Sequence, residues 1–284
     1  MSRLRLVLLT LAAAALPAAA AAQQGPAAAP EAPAAGGRAP AMSNFGAVEP
    51  PFTIWDVKLG APVSQIPDAD IVNVSCGSNG GPPSLPLKNF SEFAKCPPER
   101  SGLHEVHFEY DDEQTYIAKA LELEYRYLAA GTSVYAHPVD LSVLVDDKGI
   151  ARGIRIITDD TASLHDRRGA YQLADSLKSR YQSWHPDCQE LPPADGEQPV
   201  GGIFVHEICT GTDAATGDQF RMEARYMRRK GEVAIDPQTQ QIQRNNFDST
   251  TRFELVQPPY KPSTNYALVA PPPVPAASDS EPQQ

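Results

Sequence analysis

The sequence lacks the features that mark several large classes of protein. Aromatic side chains make up only 7% of its 284 residues, and basic residues are few, with 24 Lys and Arg against 35 Asp and Glu and a net charge of −11. A non-specific nucleic-acid binder needs a basic surface to neutralise phosphates, so this charge argues against that class. Repeated long apolar runs and a strict glycine period are also missing, which argues against a multi-span membrane protein and a collagen-like chain.

The motifs of common enzymes are missing as well. No GxSxG or SxxK motif stands in the structural context that a catalytic serine needs. The sequence contains no GxxxxGK[ST] or GxGxxG loop, the motifs that bind phosphates. It also contains no CxxC pair, the motif of thiol redox chemistry, haem attachment and common zinc sites. The run His104-Glu105-Val106-His107 is one residue short of HExxH, and a strand would place its two histidines on opposite faces. The sequence therefore predicts no metal and no cofactor.

Residues 1–22 have the order of a secretory signal peptide. Arg3 and Arg5 precede an apolar stretch, and three alanines at 20–22 provide a cleavage site. An uncleaved anchor is the alternative, but the apolar run is mostly alanine and is marginal for crossing about 30 Å of hydrocarbon. We therefore predict a periplasmic or secreted protein, with no stable transmembrane segment after cleavage near Ala22.

Composition divides the remaining chain into three parts. Residues 23–50 are rich in Ala, Pro and Gly, and such a segment buries too little apolar surface to offset its ordering entropy. Residues 257–284, with eight Pro and a polar end, have the same character. Both are predicted to be disordered. The part between them, 51–256, is predicted to be the globular core, as one domain or as the subdomains 51–135 and 136–256.

Hydrophobic periodicity predicts an α+β fold that is mostly antiparallel sheet, with one or two helices, stapled by disulfides. Apolar residues alternate over 139–145 and 150–157, and an Asp/Gly turn joins the two runs, as is typical of a β-hairpin. Asp159, Asp160 and Thr161 then offer N-cap chemistry for a helix over about 162–181. Its apolar face, at helical spacing, consists of Ala170, Leu173, Ala174, Leu177 and Tyr181.

Other segments alternate in the same way and predict further strands. These are residues 104–110, 203–209, 220–226, 232–235 and 250–256. The last three are expected to form an antiparallel meander. The secondary structure of residues 114–130 is not decided by the sequence, because their Leu, Ala and Glu favour a helix while alternating Tyr and Leu favour a strand.

The four cysteines are an even set in a chain with an export signal, which favours disulfides over metal or redox thiols. Four cysteines permit three pairings. We favour the sequence-local one, Cys76–Cys96 and Cys188–Cys209, in which each disulfide closes a loop of about 20 residues and contributes on the order of 3 kcal/mol. The first would hold the loop CGSNGGPPSLP, and the second would tie the end of the predicted helix to the following strand.

Basic residues concentrate near one predicted strand. They are Arg221, Arg225, Arg228, Arg229 and Lys230. In an acidic chain this cluster could receive an anionic partner, such as a lipid headgroup, a polysaccharide carboxylate or an acidic protein. The alternative is a solvated strand edge, because Lys and Arg protect exposed strands against aggregation.

Residues 139–209 contain VDLSVLVDDKGIARGIRIIT, SLHDRRGAYQLADSL, SWHP and DGEQPVGGIFV, in the order strand, turn, strand, helix, Trp, Pro loop, strand. This order resembles the C-terminal domain of TonB-type energy-transducing proteins, a short β–β–α–β module fed by a Pro-rich linker in the periplasm. The resemblance implies a fold for this segment and a role in protein contacts. Its helix leads to the Trp later than in that family, and the cysteine pair is not a family feature.

The sequence thus predicts an exported, non-catalytic interaction or binding module of the bacterial cell envelope. Its expected partner is another envelope protein or an anionic envelope component, and not a nucleic acid. The alternative is a secreted hydrolase of unrecognised type. That enzyme would need His206, Glu207 and His107 to meet in a cleft, because catalytic groups are often brought together only by the fold.

Overall fold

The computed structural model describes residues 52–111, 131–230 and 247–263, together with the backbone of two short strands at 234–235 and 242–243. Four segments lie outside the described residues: the predicted signal sequence, residues 23–50, the ambiguous segment 114–130 and most of the segment 257–284. What the sequence predicts for those parts stays a prediction.

Twelve strands are present in the described ranges, ten of them in one sheet. In chain order they are β1 Ile71–Cys76, β2 His104–Tyr110, β3 Ser133–Val134, β4 His137–Val145, β5 Ala151–Thr158, β6 Asp187–Glu190, β7 Glu197–Gln198, β8 Val205–Thr212, β9 Gln219–Arg229, β10 Ala234–Ile235, β11 Ile242–Gln243 and β12 Asp248–Val256. The two α-helical segments are α1 Leu164–Gly169 and α2 Leu173–Arg180. Short 3-10 helices cover Ile54–Asp56, Val63–Gln65, Asp68–Asp70, Phe90–Lys95, Ala170–Gln172 and Gln182–Trp184.

The main sheet follows the order β1-β2-β4-β5-β12-β9-β8-β6, and β3 and β7 add to β4 and β9. Every neighbouring pair is antiparallel. The predicted antiparallel sheet, helix and disulfides are all present. The helical content is small, however, so the fold is mostly β and meets the predicted α+β class only loosely.

The predicted hairpin is β4 and β5, and its turn lies between Val145 and Ala151. The predicted helix is present at the expected position, but it begins later than predicted and is interrupted in the middle. Ser163, not the Asp159–Thr161 run, is the N-cap, since its side chain accepts a hydrogen bond from the Asp166 backbone N–H.

The helix tightens into a 3-10 turn after Gly169, a residue of low helix propensity. All five residues of the predicted apolar face are buried. Within the described ranges, no helix has the length and apolar character needed to cross a membrane.

Two strands of the predicted meander, 220–226 and 250–256, are present as β9 and β12, which pair with each other, and β8 lies on the other side of β9. The strand expected at 203–209 begins at Val205 and runs on to Thr212. Residues 232–235 were expected to form a strand that returns along β9, and this pairing is wrong. Ala234–Ile235 pairs with Ile242–Gln243 in a separate two-stranded ribbon and does not fold back on β9.

One face of the sheet packs against the helical segment and residues 52–66 to form the main hydrophobic core. Its densest part is a group of aromatic rings beside α2. Tyr181 lies 5.2 Å from both Phe220 and Phe253, and those two rings are 5.5 Å apart, measured between ring centroids. Phe253 belongs to β12 in the middle of the sheet, so this cluster joins the helix to the central strands.

Both disulfides have the predicted sequence-local pairing. Cys76–Cys96 joins the end of β1 to the 3-10 helix before β2, with the Cα atoms 5.2 Å apart. Cys188–Cys209 joins directly paired residues of β6 and β8, so it links two neighbouring strands and not a helix end to a strand. Two disulfides are compatible with an extracellular or periplasmic location.

Candidate functional site

The second face of the sheet carries charge. Along β2, β4, β5 and β12, apolar core residues alternate with a second set that points away from the core. This set, which we call the polar face, includes Glu105, His107, Asp140, Ser142, Arg155, Arg252 and Glu254. Strand pairing aligns its members, since His107 lies opposite Ser142, Ser142 opposite Arg155, and Arg155 opposite Glu254.

Arg155 is the centre of the polar face, and its side chain is 1% exposed. Its guanidinium nitrogens lie 2.7 Å from Glu99, 2.8 Å from Glu105 and 3.0 Å from Glu254. Burial alone would lower the pKa of Arg155, but these three carboxylates raise it well above its usual value. One buried cation therefore holds three anions in place.

The carboxylates around Arg155 differ in their protonation. Burial tends to raise the pKa of both Glu99 and Glu105. At Glu99 burial outweighs the attraction of Arg155, so its pKa is raised. At Glu105 the charge of Arg155 and the hydrogen bond from the Asn79 backbone outweigh burial, so its pKa is lowered. Glu99 is therefore the first of this pair to take up a proton on acidification.

The loop at 77–83 covers part of the polar face. The Asn79 backbone N–H donates to Glu105 Oε2 at 2.6 Å, and Arg252 Nη1 donates to the Asn79 carbonyl at 3.0 Å. A Cβ atom at Gly77 would lie 2.3 Å from Glu105 Cγ, which explains why glycine is needed there. The sequence-predicted loop of the first disulfide is thus fixed by charged groups as well as by the disulfide.

A small pocket opens between this loop and β2, β4 and β5, and its volume of about 10 Å3 has room for a group the size of one water molecule. Its polar lining includes Glu105, His107, Asp140 and Ser142. Burial lowers the pKa of His107, so its imidazole is neutral at neutral pH. His107 Nε2 has no partner at hydrogen-bond distance among the described residues, although Glu109 Oε1 lies 3.8 Å away, and the Ser142 hydroxyl donates to Glu105. The pocket can accept a small hydrogen-bond donor, but its serine and histidine are not arranged as a nucleophile and base.

Asp140 is the second carboxyl of this pocket, and its pKa is shifted in the opposite direction from that of Glu105. Burial, together with the negative charges of Asp159 and Asp160, raises its pKa to about 7. The folded protein therefore keeps this proton between about pH 4 and pH 7, while the unfolded chain has released it. Stability consequently falls as the pH rises through that window.

Asp140→Asn should remove this loss, because asparagine stays neutral at every pH. We expect the variant to be more stable than the wild type by about 1–2 kcal/mol above pH 7, with the difference vanishing near pH 4. Urea denaturation between pH 4 and pH 8 measures it, with the exposed Asp187→Asn as the control. Parallel pH profiles for wild type and Asp140→Asn would contradict the assignment.

The structure divides the basic residues singled out in the sequence. Arg221 and Arg225 pair with Glu223 between them, with 3.0 Å from Arg221 Nη1 to Glu223 Oε2, and Arg225 also lies 4.0 Å from Asp248. Both arginines are therefore already ion-paired within the folded protein. Exposed residues at the end of β9 and just beyond it form a second group, the basic end of β9: Arg228, Arg229 and Lys230.

The residues named for the enzyme alternative do not meet. His206 Nε2 lies 3.1 Å from Glu223 Oε1, while Glu207 Oε2 accepts a hydrogen bond from Lys178 Nζ at 2.9 Å on the opposite face of β8. His107 belongs to β2, and β4, β5, β12 and β9 lie between it and β8. Each of these side chains thus has its own local environment, and together they form no catalytic cleft.

Two histidine and cysteine groupings also have a structural explanation. His104 contacts the Cys96 carbonyl and Asp147, away from the polar face that holds His107, as expected for a strand. In the described part of the chain, one cluster has the spacing of metal ligands: Cys188, Glu207 and Cys209. Both of its sulfur atoms belong to the disulfide, so neither is available as a thiolate ligand.

The sequence did not predict the buried ion network around Arg155. A signal was present, since Arg155 interrupts the apolar run GIRII and Glu254 stands between Phe253 and Leu255. Alternation of this kind normally indicates a solvent-facing side of a strand. The pattern does not indicate that the loop at 77–83 covers this face of the sheet.

Comparison with protein-family models, with curated proteins and with solved structures gave no match for this chain. The resemblance of residues 139–209 to TonB C-terminal domains therefore depends on their short motifs alone. The order strand, strand, helix, strand is present in that segment, but β12 and β9 lie between β5 and β8. The segment is thus part of a larger sheet and not a separate module.

Proposed function

We propose that the protein is an exported, non-catalytic binding module of the cell envelope, and that the basic end of β9 contacts its anionic partner. The proposal includes cleavage near Ala22 and a periplasmic or secreted location. The folded core reaches beyond the predicted end at 256, because Tyr260 packs against a small apolar cluster and the Ser263 backbone N–H donates to Glu254. The protein's partner is an anionic envelope component or an acidic envelope protein.

The observation that carries the proposal is the contrast between the two groups of basic residues. Arg221 and Arg225 are ion-paired, whereas Arg228, Arg229 and Lys230 are exposed and have no carboxylate at ion-pair distance within the described ranges. The protein as a whole carries a net charge of −11. A local basic site on an acidic surface attracts and orients anions, and it gives up no internal ion pair when it binds them.

Reversal of charge at Arg228 and Arg229 tests the proposal. The double variant Arg228→Glu, Arg229→Glu should bind about tenfold or more weakly to anionic envelope material, because two attractive contacts become repulsive. Its stability should stay close to that of the wild type, since both side chains are exposed. Binding is measured by co-sedimentation with anionic phospholipid vesicles and, separately, with polyuronate beads and purified acidic envelope proteins.

The matched control is Lys88→Glu, Arg168→Glu, which changes the net charge equally at two other exposed positions. The three binding materials separate a lipid headgroup, a polysaccharide carboxylate and an acidic protein as the source of negative charge. Equal loss in the two double variants would mean that only the total charge matters. Unchanged binding in the Arg228, Arg229 variant would reject the basic end of β9 as the contact.

A further inference from the structure

The tip of the β3–β4 hairpin has an unusual composition. The two strands are joined by Tyr135 and Ala136, whose φ angles are +50° and +64°. Two-residue turns with positive φ at both positions strongly favour Asn-Gly or Asp-Gly, and a bulky side chain in this region is strained. Tyr135 nevertheless stands there, and it is 45% exposed. A strained, exposed aromatic residue is typical of a site that holds the ring for a purpose other than folding.

Two further side chains complete a surface beside Tyr135. The Trp55 ring centroid lies 6.2 Å from that of Tyr135, at an interplanar angle of 41°. The guanidinium carbon of Arg180, the last residue of α2, lies 3.9 Å from the centroid of the Trp55 ring. This cation–π contact holds the guanidinium against the indole, so the side chain is oriented before any ligand arrives.

Arg180 also donates a hydrogen bond to the hydroxyl of Tyr181, the next residue in the chain. Burial raises the pKa of the Tyr181 hydroxyl, while Arg180 acts to lower it and Tyr135 to raise it further. Arg180 is exposed, and among the residues that the structure describes no carboxylate lies at ion-pair distance from its guanidinium. A guanidinium carries several N–H donors, so Arg180 retains donors for a ligand besides the one that contacts Tyr181, and they lie next to an exposed aromatic ring.

We infer that Trp55, Tyr135 and Arg180 form a binding site for a saccharide that carries a carboxylate. The exposed Tyr135 ring offers the negative face of its π-system to the C–H groups of a sugar ring. The Arg180 guanidinium offers two parallel N–H donors, the geometry that a carboxylate accepts best. The overall charge of −11 disfavours a nucleic acid, the other common ligand that combines ring stacking with arginine contacts.

This site is separate from the basic end of β9 and goes beyond the proposed function. It assigns a second ligand contact, on the β3–β4 turn and the end of α2, with a defined chemical class of ligand. A failure of one proposal leaves the other standing, because the two sites share no residue.

The site can be tested with a disaccharide of glucuronic acid and N-acetylglucosamine, compared with the neutral disaccharide of N-acetylglucosamine. The chain has two tryptophans, so Trp184→Phe leaves Trp55 as the only indole fluorophore. We expect saturable change of Trp55 emission with the acidic disaccharide, and binding of the neutral one about tenfold or more weaker because it lacks the charge-assisted hydrogen bonds.

Variants in the same Trp184→Phe background separate binding from folding. Tyr135→Asn suits the positive φ but removes the ring, and Arg180→Gln removes the charge; each should weaken binding about tenfold while the thermal midpoint stays within a few degrees. Tyr135→Phe retains the ring and should bind within about twofold of the parent, because stacking needs no hydroxyl. Arg168→Gln, an exposed arginine on α1, is the matched control. The Arg228→Glu, Arg229→Glu variant should bind the disaccharide as the parent does.

Several outcomes would overturn the inference. These are no saturable binding by the parent, equal affinity for the acidic and neutral disaccharides, and full binding by Tyr135→Asn or by Arg180→Gln. Displacement of the disaccharide by equimolar acetate would show a site for a carboxylate alone and would likewise reject a saccharide ligand.

Discussion

Replacement of Arg155 by methionine should destabilise the protein by about 3–5 kcal/mol, the usual cost of removing one partner from a buried ion network. Methionine preserves much of the packing volume but leaves Glu99, Glu105 and Glu254 without their shared cation. Buried carboxylates without a counter-charge must either take up protons or draw in water. Urea denaturation at pH 7, followed by circular dichroism, measures the loss.

The pH dependence of Arg155→Met distinguishes lost charge pairing from lost packing. Without Arg155 the carboxylates have raised pKa values in the folded state, so the destabilisation should shrink as the pH falls toward 4 and the unfolded chain also becomes protonated. Arg152→Met is the control, because Arg152 pairs with Asp146 near the surface and is 26% exposed. An equal loss in both variants, or a loss independent of pH, would refute the role assigned to the network.

Phe253→Ala is expected to have an effect of similar size on the other face of the sheet. The ring is fully buried on the central strand β12 and contacts Tyr181 and Phe220. Truncation of a buried phenylalanine removes apolar contacts and leaves a cavity, which costs about 3–5 kcal/mol. Chemical denaturation measures the change, and near-UV circular dichroism reports the packing of the remaining rings.

Phe253→Leu provides the matched comparison, because it keeps most of the volume and should cost less than about 1.5 kcal/mol. The double variant Phe220→Ala, Phe253→Ala should be less destabilised than the sum of its single variants, since the two residues share one cavity. Additive losses, or a mild effect of Phe253→Ala alone, would mean that the aromatic cluster is less tightly packed than its ring distances indicate.

Local elements could be predicted from the sequence because their causes are local. Alternation over 139–157 depends on neighbouring residues and one turn, and the structure places a hairpin there. The buried face of the helix, from Ala170 to Tyr181, could likewise be predicted from the spacing of its apolar residues alone. Both disulfides have the predicted pairing, which requires only that each loop closes over a short stretch of chain.

The polar face could not be predicted, because its causes are not local. Arg155 and Glu254 are 99 residues apart in sequence, and Glu99 reaches Arg155 over 56 residues. Nothing in either strand shows that the glycine-rich loop at 77–83 will cover them. The ion pairing of Arg221 and Arg225 could have been predicted in part, since Glu223 stands two positions from each of them and on the same strand face.

The Tyr135–Ala136 turn could not be predicted from the sequence for a different reason. Turns with positive φ are recognised by Asn and Gly, and neither residue is present at this position. The cation–π contact of Arg180 with Trp55 joins residues far apart in sequence and leaves no periodic signal. Such sites become visible only when backbone angles and side-chain contacts are seen together.

The position of β12 governs the order in which the protein can fold as it leaves the ribosome. β12 is the last long strand of the described chain, yet it lies between β5 and β9 and pairs with both. Until it emerges, β5 and β9 each present an open edge, and the two halves of the sheet have no strand to join them. Folding by such distant pairings is slow. Nearly the whole core must therefore be synthesised before the sheet can close.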